Sequence, residues 1–366
     1  MRDDLTAAID RHQAGDLDAA EAAYLAVLER NENAEALCNL GLIAKARGRL
    51  DDAESWLLRA NRAAPDAALP AYNLGSLYWR EGRLREALPF LELAAAQPQM
   101  TGAQLNLGNL YLALGRDAEG WRLYDQRPER LNSQTRRLSF PEWQGEPLDG
   151  KRLLIWAEQG FGDQILAARY VPHLRAAQIT YVCRPELTRL FAGLGATVVP
   201  LAGDIPVAGH DYWILPMSLP RWVGPVGNAP YLKGRASKAG GIGIAWKGND
   251  LPDPGRSLPS EQAARLLALP GAISLHPEDS RARDFQATAD IIAGLDLVIS
   301  IDTSVAHLAG ALGKPAWVLL QQHSPDWRWR NQPPWYPSVE VLRQPRRGDW
   351  TGLVDEVVLR AGRLAR

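Results

Sequence analysis

Four short stretches carry residue types that could do chemistry, and each follows an apolar run of strand length. "AEQGFGDQI" brings Gly160, Gly162 and Asp163. Glycines directly after a strand let a helix start approach a ligand, and a carboxylate there could take a proton as a general base. "AWKGND" brings Lys247, whose ammonium suits a phosphate, beside Gly248, which leaves room for backbone approach. "PGRSLP" adds Arg256 and Ser257 in the following loop, and "ISLHPED" puts His276 after another run, as a base or ribose contact or as a plain loop histidine. The fourth stretch, "VISIDTSVAHLAGALGKPAWVLL", opens onto Asp302, Thr303 and Ser304, with His307 a few residues on. One of the two hydroxyls is expected to cap the helix that follows. The same free N–H groups and positive helix end suit a diphosphate. Asp302 would be unfavourable beside phosphate as a bare anion, so it is expected to orient N–H groups or hydroxyls. The dipole favours neutral His307. Each stretch also has a plain structural reading: a tight turn with Asp163 as a cap, a solvated lysine, a capped helix.

These residues need elements to hold them. The pattern from residue 151 alternates apolar strand candidates (Arg152–Ala157, Ile179–Val182, Ala196–Pro200, Tyr212–Leu215) with helix-like stretches (Gln164–Ala177, Pro185–Leu194). A second series follows: Gly241–Trp246, Ser260–Leu269, Ala272–Leu275, Ala287–Gly294, Asp296–Ile301, Val305–Leu312 and Ala316–Leu320. Such alternation predicts two doubly wound parallel units, with ligands beyond the carboxyl ends of the strands. The candidate residues fall at those ends.

The first third is different. "NLGLIAKARGRLDDAESWLLRANRAAPD" matches "NLGSLYWREGRLREALPFLELAAAQPQ" after a shift of 34, and a third copy, "NLGNLYLALGRDAEGWRLYDQ", begins 33 residues later. A weaker first copy runs through Gly15, Ala20 and Tyr24. Small residues at Gly41 and Ala53 suit closely packed antiparallel helices, and Gly48 suits the turn between them. The pattern resembles the tetratricopeptide repeat, which implies a curved array with a concave surface for another protein or peptide; a rigid spacer or dimerisation arm is the alternative.

Composition limits the rest. With 366 residues, 46% hydrophobic and 23% charged, the chain is an ordinary globular one with room for several cores. A net charge of −1 gives nucleic acid or anionic membrane no long-range attraction. Two cysteines, Cys38 and Cys183, in different segments argue against a disulfide framework or a thiolate metal site. The start has no stretch of signal-peptide type and no run spans a bilayer, so a cytoplasmic protein is expected. Thirteen tryptophans are unusual, and several crowd the last fifty residues. The expected division is repeats over 1–130, a polar, proline-bearing linker over 131–150, and α/β domains over 151–235 and 236–366.

The residues then become familiar. "DLVISIDTSVAHLAGALGKPAWVLL", followed by "PDWRWR", "PWYPS" and "RQPRRGDW", resembles the C-terminal half of glycosyltransferases that carry tetratricopeptide repeats. Their sugar-nucleotide half is related to the heptosyltransferases of lipopolysaccharide synthesis, a family 9-like domain. "AEQGFGDQILAARYVPHL", "SLP" at 218–220 and "PYL" at 230–232 resemble the first domain of that family. The resemblance implies helical repeats followed by a GT-B pair of Rossmann-like domains. The substrate would be a nucleotide-diphosphate sugar held mainly by the second domain, with no metal and no cofactor besides that donor. It implies Asp163 as the carboxylate that activates the acceptor hydroxyl. Gly160, Gly162, Lys247, His276, Thr288, Asp302, Thr303, Ser304 and His307 would surround the donor, with Lys247 and the Thr303–Ser304 turn as phosphate contacts. Relatives of this layout include enzymes implicated in glycosylating flagellins and other surface proteins, so the resemblance implies a protein or peptide acceptor on the repeats. Two positions depart from the pattern. "KGRASKAGGIGI" is short for the segment before the second domain, and Ala287 stands where relatives usually have Asp. Those departures favour a second reading, a catalytically impaired binding or scaffold protein.

Overall fold

The computed structural model describes residues 2–236, 240–249, 254–323, 326–330 and 335–364. Of the stretches discussed above, residues 237–239, 250, 325 and 334 lie outside the described residues. The chain divides into two units, one of residues 1–127 with 323–327 and one of 128–322 with 328–366. No described helix is long and apolar enough to cross a membrane.

The first unit is eight helices: α1 (Arg2–Gln13), α2 (Leu17–Leu28), α3 (Ala34–Ala46), α4 (Leu50–Ala63), α5 (Ala68–Arg80), α6 (Leu84–Ala95), α7 (Thr101–Ala113) and α8 (Asp117–Tyr124). They pair in sequence, and the repeat spacing explains how. Gly15, Gly48, Gly82 and Gly115 all have φ between 72° and 81°, the left-handed turn that ends the first helix of each pair. Within a pair, a methyl on Gly41 would lie 2.7 Å from Cγ of Leu57, and one on Gly75 would lie 2.9 Å from Cγ of Leu91. Leu37, Leu57, Leu74, Leu91, Leu107, Tyr78 and Tyr111 fill the shared core. Burying each leucine contributes about 1.5–3 kcal/mol. The last copy is completed from a distant part of the chain. Trp327 is buried against Trp121 and Tyr124 and donates its indole N–H to Asn109 Oδ1 at 3.1 Å. The repeat period gave no hint of this return.

The second unit begins with the stretch read as a linker, which is folded. A short helix α9 (Pro128–Leu131) and a 3₁₀ turn (Gln134–Arg137) lead to Glu142, which accepts two 2.8 Å bonds from the Arg130 guanidinium. The chain then pairs with Trp213 through Pro141 and Trp143. Leu138 and Phe140 supply the reason: they pack against Leu154 and Trp213, apolar surface that a free linker would leave exposed.

Two parallel sheets follow. The first has the order β3-β2-β1-β4, from β1 (Arg152–Trp156), β2 (Gln178–Cys183), β3 (Thr197–Pro200) and β4 (Tyr212–Ile214). The helix expected over Gln164–Ala177 is shorter and earlier, α10 (Phe161–Ala168), and that over Pro185–Leu194 shrinks to a 3₁₀ turn and α11 (Thr188–Phe191). After β4 comes α12 (Leu219–Val223). The second sheet has the order β6-β5-β7-β8-β9, from β5 (Ile242–Ala245), β6 (Ala272–Ser274), β7 (Leu297–Ile301), β8 (Ala316–Leu320) and β9 (Val339–Arg343). Its helices are α13 (Ser260–Leu267), α14 (Pro277–Ser280), α15 (Phe285–Gly294), α16 (Ser304–Ala311) and α17 (Trp350–Leu364). β9 and α17 have no counterpart in the sequence reading. Trp317 and Trp350, two of the late tryptophans, sit in the core that α17 shares with β5, β7 and β8.

Candidate functional site

The site is built where α10 of the first sheet meets α16 of the second. A methyl on Gly162 would lie 2.7 Å from Cδ2 of His307, so only glycine lets the first turn of α10 come this close to α16. Gly160 precedes α10, and the residue before it, Gln159, has φ 55°. A non-glycine residue in the left-handed region is a local cost that recurs where a loop must aim a functional group.

Asp163 stands in the first turn of α10 with its side chain 18% exposed. Its Oδ2 accepts the Gly160 N–H at 3.3 Å, the reach-back expected of a cap. Its Oδ1 accepts from the Arg328 guanidinium, Nε at 2.9 Å and Nη2 at 2.5 Å. The next residue, Trp329, donates its indole N–H to Asp302 Oδ1 at 2.8 Å and stacks on the His307 ring, with centroids 4.6 Å apart. One dipeptide therefore contacts both helix starts: Arg328 at α10, Trp329 at the turn into α16.

At that turn the expected hydroxyl cap is not made. Thr303 occupies the capping position, but its Oγ1 lies 3.0 Å from Ser300 Oγ and makes no bond to the helix. Ser300 donates to Ile301 O at 2.7 Å, so Thr303 is the donor of the pair. The hydroxyl is drawn back toward the strand because Ser300, buried at the end of β7, needs a second partner. Asp302, placed as an orienting acceptor, takes an N–H bond, though from an indole.

His307 is 3% exposed. Its Nδ1 lies 3.0 Å from the Tyr336 hydroxyl. Burial pushes the Tyr336 pKa well above the usual phenol value, so the partner of Nδ1 is a neutral hydroxyl. Tyr336 is itself held from behind. Arg169, buried to 3%, places its guanidinium 4.7 Å from the Tyr336 ring and bonds the Trp335 carbonyl at 3.0 Å.

Lys247 is exposed just beyond β5. β5 pairs β7 in parallel with Ala245 opposite Ser300, so Lys247 and Asp302 follow the same ends of neighbouring strands. The Gly248 N–H bonds Ser257 Oγ at 3.1 Å, and Arg256 holds the Asn249 carbonyl at 2.8 and 3.1 Å, so Arg256 and Ser257 shape the loop that carries Lys247. His276 follows β6, the strand next to β5, and lies against the Trp246 ring at 5.6 Å. Thr288 is buried in α15 and its hydroxyl donates back to the Asp284 carbonyl at 3.3 Å. The carboxylate that acts at this helix is Asp284, three residues before Ala287. It accepts the Ala287 N–H at 2.8 Å and pairs with Arg189 at 2.7 Å. Burial pushes Asp284 up, but those two donors outweigh it and leave its pKa below the usual carboxylate range. The described part of the segment before the second sheet runs beside α15 and α16. Tyr231 and Leu232 donate to the Ala311 carbonyl, and Arg235 N–H reaches Asp290 Oδ1 at 2.7 Å.

Arg328, Trp329 and Tyr336 were passed over as site residues, although "PDWRWR" and "PWYPS" contain them. The signal available was the crowding of tryptophan and arginine there, which apolar periodicity does not register.

Two family models match parts of the chain. Residues 5–68 and 72–127 match the tetratricopeptide repeat model, and residues 283–350 match the glycosyltransferase family 9 (heptosyltransferase) model. The chain is a repeat-bearing protein with a glycosyltransferase family 9-like domain. Among curated proteins it is similar to Protein FlbA of Caulobacter vibrioides, 26% identical, with 86% of this chain aligned. The chain spans 63% of the length of that relative. Among solved structures, MamA aligns with 35% of this chain and 77% of its own at 25% identity and a TM-score of 0.31. The glycosyl transferase family 9 protein of Veillonella parvula aligns with 60% of this chain and 98% of its own at 13% identity and a TM-score of 0.43.

Proposed function

We propose that the protein transfers a sugar from a nucleotide-diphosphate donor to a hydroxyl on a protein acceptor bound by the repeats. The acceptor oxygen attacks the anomeric carbon, the carbon–oxygen bond to the diphosphate breaks, and the diphosphate leaves with the electron pair. Asp163 takes the hydroxyl proton. The observation that carries this reading is the start of α16: its capping residue leaves the helix N–H groups unbonded by its side chain, one strand from Lys247. Those N–H groups, the positive helix end and the ammonium are what a departing diphosphate needs. Lys247 and the Thr303–Ser304 turn are assigned to the phosphates, and His276 to the nucleoside. In this reading side chains and helix ends meet the phosphate charge, so EDTA should leave transfer unchanged. Two buried free thiols fit a reducing, cytoplasmic setting.

Mass action supplies the test. Among UDP, GDP, ADP and CMP, one should raise the thermal midpoint, and Lys247→Ala should remove most of that shift. A midpoint indifferent to all four nucleotides would remove the donor site from this reading.

One observation favours the alternative, a scaffold that binds without catalysis. Both oxygens of Asp163 already accept hydrogen bonds. Donor hydrolysis, measured by release of the nucleoside diphosphate, separates the two. Turnover that is lost in Asp163→Asn supports the transferase; nucleotide binding with no turnover under any condition supports the scaffold.

A further inference from the structure

We infer that Arg328 is a positioning residue with two partners: it holds Asp163 before the donor binds, and moves to the donor diphosphate when that arrives, releasing the base. This rests on the reading above, in which Asp163 is the base and a diphosphate sits at α16.

A carboxylate oxygen that accepts two guanidinium N–H bonds has both lone pairs occupied and must give one up before it can accept a proton. As the structure stands, Oδ1 of Asp163 accepts two N–H bonds from Arg328 and Oδ2 accepts one from Gly160. For Asp163 to take a proton, the guanidinium must loosen its hold. The geometry permits that. Both bonds from Arg328 end on a single oxygen, whereas a guanidinium binds most strongly as a fork across two oxygens. A diphosphate offers such oxygen pairs and more negative charge than one carboxylate.

The anchoring of the segment places the alternative partner within reach. Trp329 pins the backbone next to Arg328 onto the α16 turn, through its bond to Asp302 and its stack on His307. Arg328 is therefore rooted on the second sheet, beside the phosphate turn, while its charge extends to α10 of the first. The Gly162–His307 contact shows how close those two helix starts are. A swing of this one side chain can exchange the carboxylate of one for an anion at the other. Binding then couples donor loading to release of the base, so a hydroxyl that enters before the donor meets a base already occupied.

A double-mutant cycle tests this by titration calorimetry with UDP, GDP and ADP on the full chain. The four proteins are the wild type, Asp163→Asn, Arg328→Met and the double variant. Asp163→Asn should tighten binding about fivefold by freeing Arg328, and Arg328→Met should weaken it about tenfold, as a charge-assisted bond is lost. In the Arg328→Met background, Asp163→Asn should change affinity less than about twofold, because nothing remains to be freed. Arg328→Lys keeps the charge without the fork and should restore part of the affinity and part of the coupling; it also serves if the Met variant does not fold. Equal tightening by Asp163→Asn in both backgrounds would mean direct repulsion and overturns the exchange, as would wild-type affinity in Arg328→Met. Either result leaves the donor site standing. Absence of binding in all the proteins would instead remove the donor site itself, and this inference with it.

Discussion

Arg49, Arg83 and Arg116 each precede the second helix of a repeat, and each meets a carboxylate of the previous copy and one three residues on. Arg49 bonds Glu21 of the previous copy and Asp52 three residues on. Arg83 does so with Glu54 and Glu86 and lies 4.1 Å from the Tyr78 ring. Arg116 pairs with Glu92 and Glu119 and lies 3.9 Å from the Tyr111 ring. Tyr78 and Tyr111 in turn donate to Glu54 and Glu92. In the α/β unit, Arg328 meets Asp163 once, across 165 positions of sequence. The repeat arginines are 35–41% exposed and their partners are duplicated; the side chains of the Arg328–Asp163 pair are 18% exposed. A repeated exposed contact distributes its contribution, and no copy is indispensable. A single half-buried one concentrates it, and its loss strands a charge. The repeats themselves have one pair of the second sort, Asp125–Arg127, in the terminal copy where the pattern breaks down.

The comparison can be broken most sharply at the glycines. Gly75 and Gly162 both admit a close helix, but against different neighbours. A methyl on Gly75 meets Leu91 Cγ at 2.9 Å, which a rotamer change can relieve, and the Leu91 backbone N at 3.1 Å, which needs only a small shift of the helix. A methyl on Gly162 meets the His307 ring at 2.7 Å, and that ring is held by Trp329 on one side and Tyr336 on another. Gly162→Ala should therefore destabilise by about 3 kcal/mol and Gly75→Ala by about 1 kcal/mol. Hydrogen exchange resolved by region measures both in one protein. Equal losses would mean that the site is as compliant as a repeat.

Removing the arginines should give a smaller difference of the same sign. Arg83→Met leaves Glu54 with the Tyr78 hydroxyl and solvent, and should cost under about 1 kcal/mol. Arg328→Met leaves Asp163 with the Gly160 N–H as its recorded bond, and should cost about 1–3 kcal/mol, read as lost protection in α10 and α16. A greater loss in the repeats would reverse the comparison.

The same contrast decides what was legible beforehand. The repeats could be read because one packing problem is solved repeatedly, so Gly48, Gly82 and Gly115 announce each other. β1 and β7 could be read because a strand buried on both faces is a continuous apolar run. It could also be read that polar residues such as Asp163, Lys247 and Asp302 stand just after strands. Which of them touch was not legible, since nothing periodic links Asp163 to Arg328 or Gly162 to His307. The return of Trp327 to the repeats was hidden for the same reason. The side chain of Thr303 misled because capping preference is local, and the buried Ser300 hydroxyl outcompeted it.

Acid should produce the smallest effect and separate the regions by electrostatics alone. The bonds from Arg49 hold Glu21 below the usual 4.5, and those from Arg83 do the same for Glu54, in each case outweighing burial. A carboxylate whose pKa is depressed on folding contributes stability that is complete above its unfolded value. As pH falls below about 4.5 the unfolded chain takes up protons first, and the contribution is gone once pH passes the folded value. Because these groups are only partly buried and remain in reach of solvent, each should supply a few tenths of a kcal/mol, and salt should weaken them. At low ionic strength, acidification from pH 6 to pH 3.5 should lower protection in α2–α6. Adding about 0.5 M NaCl at pH 6 should reproduce part of that loss, since the screening length then falls below 10 Å. β2, whose Tyr181 and Cys183 are kept neutral by burial with the thiol pushed up to about 11, should not respond to that salt. If salt lowers protection in β2 as much as in the repeats, the ladder is not what distinguishes the two regions.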